Sequence, residues 1–528
     1  MLSWLENAVC YEIYPTSFYD SNGDGIGDLN GISEKVNYLK ELGVTCVWLN
    51  PIFKSPFKDG GYDISDYYEI DKRFGTIEDL DNLIKTFKAN GIRLVLDLVI
   101  GHTSDKHKWF KKSACVRKNE FSDYYVWTDS LFQSYKGMIM GLYKRDGGYL
   151  PNYYASQPAL NFGFENLDEK SPWKKHYTDP RLKPLREEII NIMRFYLDKG
   201  IDGFRVDMAS SLVKEGAFFS EENLYSASDE GLSGIKWFWN EVFSVLRKEY
   251  RDKLYIAEWV LPQRSIAKCG FDMDFLTHDT IPFNTLYRYE KGCNLGDDEY
   301  YVRGKNYFSP EGEGSLEDFV KYAEFLYGQL GDKGMFSAPT GTHDEIRMST
   351  AKNPDLIKTI FAFMLTIKHV PFIYYGDEIG IEHNFALSKD GGGVRTGART
   401  PMQWLEEKGK GFSSKKRTYL PVSNKKGQSV EAQNEDKNSI LNTVRELIKI
   451  RKEYSALSVS ATQTFIEKGY PAVYERSDGK NTIRIIINPS NKQFVRKENY
   501  SKIIYSQNVD ALGDKIKFNK QSYAILLI

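Results

Sequence analysis

Residues 200–210 read GIDGFRVDMAS. The run from Phe204 to Val206 is apolar except for Arg205, and Asp207 follows at its end. In a strand, residues two apart share a face, so Arg205 and Asp207 point the same way. A charge buried without a partner is costly, so the arginine requires one. An arginine beside a carboxylate also favours the ionised acid. An ionised acid at the mouth of a barrel strand can act as a nucleophile. A structural ion pair explains the same residues, and such pairs are common, so the rest of the chain must decide.

Outward from this stretch, short β-rich apolar runs alternate with longer helical patterns. The runs are AVCYEIYP (8–15), CVWLNP (46–51), RLVLDLVI (93–100), GFRVD (203–207), LYIAEWV (254–260), FDMDF (271–275), MFSAPTG (335–341) and VPFIYYGDE (370–378). Between them lie segments such as ISEKVNYLKELG, IEDLDNLIKTFKANG and LREEIINIMRFYLDKG, closed by Gly43, Gly91 and Gly200. Glycine suits the residue just past a helix, where the backbone turns left-handed. Strand–helix alternation predicts parallel βαβ units. Eight units predict an α/β fold, a closed (β/α)8 TIM barrel. An open doubly wound sheet usually brings a Gly-rich phosphate turn, and the chain has no G-x-G-x-x-G or Walker motif.

Two regions break the rhythm. Residues 104–166 are rich in Tyr, Lys, Asp and Ser and read as a lid domain inserted after the third strand. From about residue 460, short strands and turns predict a C-terminal all-β sandwich. The expected domains are therefore a barrel over 1–103 and 167–459, an insertion over 104–166, and an appendage over 460–528.

Composition narrows the class. The chain has 528 residues, 41 % of them apolar, which is enough for a large core in two to four domains. Its 71 basic and 72 acidic residues leave a formal charge of −1, so no nucleic-acid footprint is expected. No apolar stretch is long enough to span a bilayer. Five cysteines without paired spacing, and an N-terminal MLSWLENAVCYEIYP without a basic region followed by an apolar run, predict a cytoplasmic protein.

Function in a (β/α)8 barrel gathers at the C-terminal ends of the strands. There the third strand brings Asp97 and His102, the fourth Arg205 and Asp207, the fifth Glu258, and the seventh His343 and Asp344. Paired carboxylates about 5–5.5 Å apart are the arrangement of retaining glycoside hydrolysis. One must be bare and one must carry a raised pKa. Asp207, beside Arg205, suits the bare role. Glu258, between Ala257 and Trp259, sits on apolar surface that favours the neutral acid.

Four ordered blocks, DLVIGHTS, GFRVDMAS, IAEW and GTHDE, together with YEIYPTSFYDSNGDGIGDLNGI and ARTPMQW, carry a family resemblance. The chain resembles glycoside hydrolase family 13, the α-amylase superfamily, and within it the oligo-1,6-glucosidase, α-glucosidase and trehalose synthase group. The resemblance implies that Asp207 is the nucleophile, Glu258 the general acid/base and Asp344 the third acid, which holds the sugar's 2- and 3-hydroxyls. It implies that Arg205 orients Asp207 and that His102 and His343 donate to sugar hydroxyls. It also implies that Tyr62 stacks on the terminal glucose. Asp59 and Arg399 would grip the 4-hydroxyl, closing the pocket behind one glucose and imposing exo-action.

In DSNGDGIGD, Asp20, Asn22, Asp24 and Asp28 alternate around Gly25, a spacing of hard oxygen ligands that resembles a calcium loop. The carbonyl of Ile26 would be a further ligand. Many relatives bind calcium in this loop, so the resemblance implies a structural Ca2+, with no organic cofactor. Gly101 stands where many relatives have asparagine, which argues against a second calcium between barrel and lid. Thr342 and Ala159 also depart from the family pattern. Met208, after the nucleophile, matches neither the valine that accompanies α-1,6 preference nor the residues that accompany α-1,4 preference.

The expected function is therefore a retaining α-glucosidase acting on small α-glucosides or oligosaccharides. An α-glucosyl transferase or isomerase of the trehalose synthase type is the alternative on the same intermediate. A non-catalytic carbohydrate-binding or transporter-associated relative is opposed by the presence of all three acids.

Overall fold

The computed structural model describes residues 1–130, 137–216, 224–277, 280–287 and 306–528, apart from the side chain of Ile281. Eight parallel strands form one sheet. In chain order they are β1 (Cys10–Ile13), β2 (Cys46–Leu49), β3 (Arg93–Leu98) and β4 (Gly203–Val206). β5 (Leu254–Ala257), β6 (Met273–Phe275), β7 (Met335–Ser337) and β8 (Phe372–Tyr374) follow. From β1 to β7 each strand pairs with its neighbour in sequence, and β1 pairs with β8. Backbone bonds from Val370 N to Phe336 O (3.2 Å) and from Thr340 N to Phe372 O (3.0 Å) join β7 to β8. The sheet therefore closes into the expected (β/α)8 barrel.

Apart from Arg93 every residue of these strands is buried, which is why they read as continuous apolar runs rather than as alternation. Gly203 is imposed by closeness: a Cβ there would lie 1.9 Å from Leu254 O on β5. The helices obey their end signals. Thr76 and Asp79 form a capping box at the start of Ile77–Ala89. Gly200, at φ 106°, terminates Lys183–Lys199 and turns the chain into β4.

Between Lys108 and Tyr149 an inserted segment builds its own aromatic cluster. Phe110 packs against Tyr125, Trp127, Tyr143 and Tyr149 with ring centroids 5.0–5.7 Å apart. The segment is stitched to the barrel mouth at His102–Ala159.

At the C-terminus, six antiparallel strands form a single sheet: β9 (Thr462–Lys468), β10 (Ala472–Ser477), β11 (Thr482–Asn488), β12 (Phe494–Lys497), β13 (Lys502–Leu512) and β14 (Lys515–Leu527). The last half of β14 pairs with β11 and its first half with β12, while β13 runs along both. Alternation in β11 sends Ile483, Ile485 and Ile487 into the main core and Ile486 into a second core with Ile516, Phe518 and Leu526. Among the described residues no helix is long and apolar enough to cross a membrane.

Candidate active site

Arg205 is the hub of the barrel mouth. Its side chain is 2 % exposed, and Nη1 lies 2.9 Å from Asp97 Oδ1 and 2.9 Å from Asp207 Oδ1. Its Nη2 lies 2.5 Å from Glu258 Oε1. β3, β4 and β5 are adjacent, with Asp97 in register with Arg205, so three carboxylates from three strands meet one guanidinium. The pairing suspected inside GFRVD is therefore real, and it extends to the acid on the next strand.

Met208 takes a left-handed backbone (φ 48°), uncommon for a side chain of its size. That turn aims Met208 N–H at Glu258 Oε2, 2.8 Å away. Both Glu258 oxygens are thus folded back on the protein. The Met208 Sδ lies 2.8 Å from Tyr153 Oη of the inserted segment, so this side chain is pinned across the mouth.

The sequence reading expects Arg205 to hold Asp207 low. The balance in the structure is different: burial outweighs the guanidinium and carries Asp207 up to about 6. Burial also raises Glu258, to about 7, with the nearby Asp207 charge adding to it and Arg205 opposing. Burial would raise Asp344 too, but His343, Arg395 and Arg399 hold it well below the usual carboxylate range.

His343 is itself buried, which disfavours its charge, yet Asp344 and Glu12 prevail and raise it to about 9. Its Nδ1 donates to Glu12 Oε1 (2.8 Å), and its Nε2 lies 3.0 Å from Asp344 Oδ2. The ring stacks on Tyr62, with centroids 5.0 Å apart and planes 5° from parallel. The Tyr62 hydroxyl donates to Asp97 Oδ2 (2.8 Å). His102, expected to donate to a sugar hydroxyl, makes two bonds to the protein. Its Nε2 bonds Tyr62 O (2.8 Å) and its Nδ1 accepts from Asn152 (2.9 Å), so it positions Tyr62. Burial lowers its pKa to about 4, and the ring is neutral.

The expected Asp59–Arg399 pair requires correction. Asp59 Oδ1 faces Arg395 Nη2 at 3.5 Å, and Gln157 donates to Asp59 Oδ2 at 2.8 Å. Arg399, four residues further on, instead donates to His343 O (2.9 Å) and Asp344 Oδ1 (2.7 Å). Arg395 reaches the same Asp344 oxygen at 2.9 Å and so bridges the two acids. Three residues that sequence reasoning left unassigned therefore belong to the site: Arg395, Glu12 and Asn50, which donates to both Glu12 (3.1 Å) and the Tyr62 hydroxyl (3.0 Å). A charge inside the apolar YEIYP was a legible signal for Glu12.

These contacts join the ends of β1, β2, β3, β4, β5 and β7 in one polar network at one mouth. The model of the alpha-amylase catalytic domain matches residues 12–460. The chain belongs to the α-amylase family, glycoside hydrolase family 13. This α-amylase-family chain is 31 % identical to an oligo-1,6-glucosidase of Parageobacillus thermoglucosidasius, over 93 % of its own length and 91 % of the relative's. It is 30 % identical to the trehalose synthase/amylase TreS of Mycolicibacterium smegmatis, over 88 % and 79 %. Among solved structures it superposes on an isomaltulose synthase mutant from Erwinia rhapontici in complex with sucrose, with a TM-score of 0.81, 27 % identity and 99 % of each chain covered.

The loop at residues 20–28 has the oxygen chemistry for a hard cation. Asp20 Oδ2 accepts from Gly25 N (2.7 Å), Asn22 Oδ1 from Asp24 N (2.9 Å) and Asp24 Oδ1 from Ile26 N (2.8 Å). These side-chain-to-backbone bonds fold the loop on itself around Gly25, at φ 92°. Asp28 also caps the helix Leu29–Glu34 through Gly31 N. Among the described residues no three His, Cys, Asp or Glu side chains gather closely enough to hold an ion alone. A cation here would draw on the Asn22 amide and the Ile26 carbonyl as well.

Proposed function

We propose that this chain is a retaining α-glucosidase that removes single α-glucosyl units from the non-reducing end of small α-glucosides. The observation that carries this reading is the shared guanidinium: Asp207 and Glu258 hang from the two terminal nitrogens of Arg205. That span suits the short carboxylate separation of retaining enzymes, about 5–5.5 Å, rather than the 6.5–9.5 Å of inverting ones.

Asp207, ionised above about pH 6, attacks the anomeric carbon as the glycosidic bond breaks. Glu258, raised to about 7, turns from Arg205 and gives its proton to the departing oxygen. It then takes a proton from water, which attacks the glucosyl–Asp207 ester and releases glucose with its anomeric configuration retained. Asp344 stays ionised, and it and the His343 imidazolium hold hydroxyls of the glucose. Asp59 and Arg395 close the pocket at the glycone's far end.

The same intermediate passes to a sugar in a transglucosylase or a trehalose synthase-type isomerase. The Met208–Tyr153 contact across the mouth favours keeping that second reading, because it restricts the acceptor side. A panel of maltose, isomaltose, trehalose and sucrose, with products identified and the first anomer assigned by NMR, separates the readings. Free glucose as the main product supports hydrolysis, and a rearranged disaccharide supports isomerisation.

Calcium held by Asp20, Asn22, Asp24, Ile26 and Asp28 belongs to the same proposal as a structural ion, distant from the bond-breaking step. A cytoplasmic setting is supported by the buried free thiols of Cys10, Cys46 and Cys269.

A further inference from the structure

β6 carries a carboxylate that the mechanism above does not use. Asp274 is fully buried, and no lysine or arginine forms a salt bridge with it among the described residues. It is in register with Ala257, the residue before Glu258. Its neighbour Phe275 stacks on Trp48, 5.4 Å away, and Trp48 lines the catalytic pocket with Glu258. Alternation along β6 therefore turns Asp274 to the outer side of the barrel wall, away from substrate.

There it holds the backbone that follows Glu258. Asp274 Oδ1 accepts from Trp259 N (3.1 Å), Val260 N (3.1 Å) and its own strand's Phe275 N (2.8 Å). Its Oδ2 accepts from Ser265 Oγ (2.6 Å), at the end of the short helix Pro262–Ser265. The turn so clamped is strained. Val260 has φ 67°, and a β-branched residue in left-handed backbone is a genuine outlier. Such a conformation persists only where the surroundings over-determine it. On the other flank, Glu258 N bonds Val206 O and Ala209 N bonds Glu258 O, both at 3.1 Å. The backbone of Glu258 is thus fixed by β4 on one side and by one carboxyl group on the other.

We infer that Asp274 is the positioning residue of the acid/base: it locks the Trp259–Val260 turn and thereby sets where Glu258 points. The inference rests on Glu258 being the proton donor. Without Asp274, two buried N–H groups next to that donor lose their acceptor, which the turn can relieve only by moving. A displacement of about 1 Å at a reacting group costs on the order of a hundredfold in rate.

The test compares two probes of the bond-breaking step through kcat/KM. Maltose needs a proton on its leaving oxygen. α-Glucosyl fluoride expels fluoride and needs none. Asp274→Val should lose about 10- to 100-fold on maltose and less than about threefold on the fluoride. Asp274→Asn keeps an oxygen for the three N–H groups and a partner for Ser265, and should restore maltose activity to within about threefold. Asp274→Ser, which leaves room for water at the N–H groups, serves in place of the valine variant if that one does not fold. Equal losses on both probes, or no loss on maltose in a folded variant, would overturn the proposal. Glu258→Gln is the control: if it too falls equally on both probes, the assignment of Glu258 fails instead, and if it alone discriminates, the failure lies with Asp274.

Discussion

Arg395, not Arg399, is the arginine that faces Asp59, at 3.5 Å, and the same guanidinium reaches Asp344 at 2.9 Å. The two arginines four residues apart therefore divide the work. Arg399 is buried and fixes Asp344 from behind. Arg395 is 36 % exposed in its side chain and spans the pocket between two acids. Replacing Arg395 by alanine should raise KM for maltose at least about tenfold with a smaller change in kcat, because its contacts bind the unreacting end of the sugar. Steady-state kinetics give the split. A fall confined to kcat, or equal behaviour on a glucoside lacking the 4-hydroxyl, would contradict this placement.

Asp207→Asn should retain the fold and lose about a thousandfold or more in turnover, since the group forming the covalent bond is gone. Melting temperature and maltose hydrolysis measured on one preparation decide it. Turnover close to wild type would remove Asp207 from the reaction.

The pH profile follows from the two carboxyl groups. Asp207 must be bare, so kcat/KM falls as pH drops through about 6. Glu258 must hold its proton, so kcat/KM falls as pH rises through about 7. A narrow bell between those values is expected in the free enzyme. A plateau extending to pH 9 would show that the proton donor is another group.

His343 supplies a stability test of opposite slope to acid denaturation. Its folded pKa of about 9 exceeds the ordinary 6.5, so the charged ring stabilises the fold fully below pH 6.5. That contribution disappears as pH rises through about 9. Melting temperature should decline over this interval in the wild type and decline less in His343→Gln. Parallel curves for the two proteins would contradict the His343–Asp344 pairing.

Calcium at the loop of residues 20–28 should stabilise by about 2.7 kcal/mol at a hundredfold excess over its Kd. Chelation should lower the melting temperature, and added calcium should restore it. Asp24→Ala should abolish the response. An identical melt with and without chelator would place no ion there.

Much of this architecture is legible because burial on both faces makes barrel strands into apolar runs, and the third, fourth, fifth and seventh runs end in functional residues. Arg205 could be read as a partner of Asp207 because strand alternation puts them on one face. What could not be read came from contacts between distant loops. Asp59 and Arg395 are 336 positions apart, and nothing in the periodicity of GGGVRTGAR distinguishes Arg395 from Arg399. The charge balance of Asp207 is hidden from the sequence for a similar reason. The sequence displays the arginine beside it, while the desolvation that exceeds the arginine's pull exists only once the barrel closes.

The most direct measurement is to trap the intermediate with an activated 5-fluoroglucosyl fluoride and to map the modified peptide by mass spectrometry. A single glucosyl ester is expected on Asp207, within GFRVDMAS, and none in Asp207→Asn. An ester on another residue, or rapid turnover of the reagent to the inverted anomer with no covalent species, would contradict this.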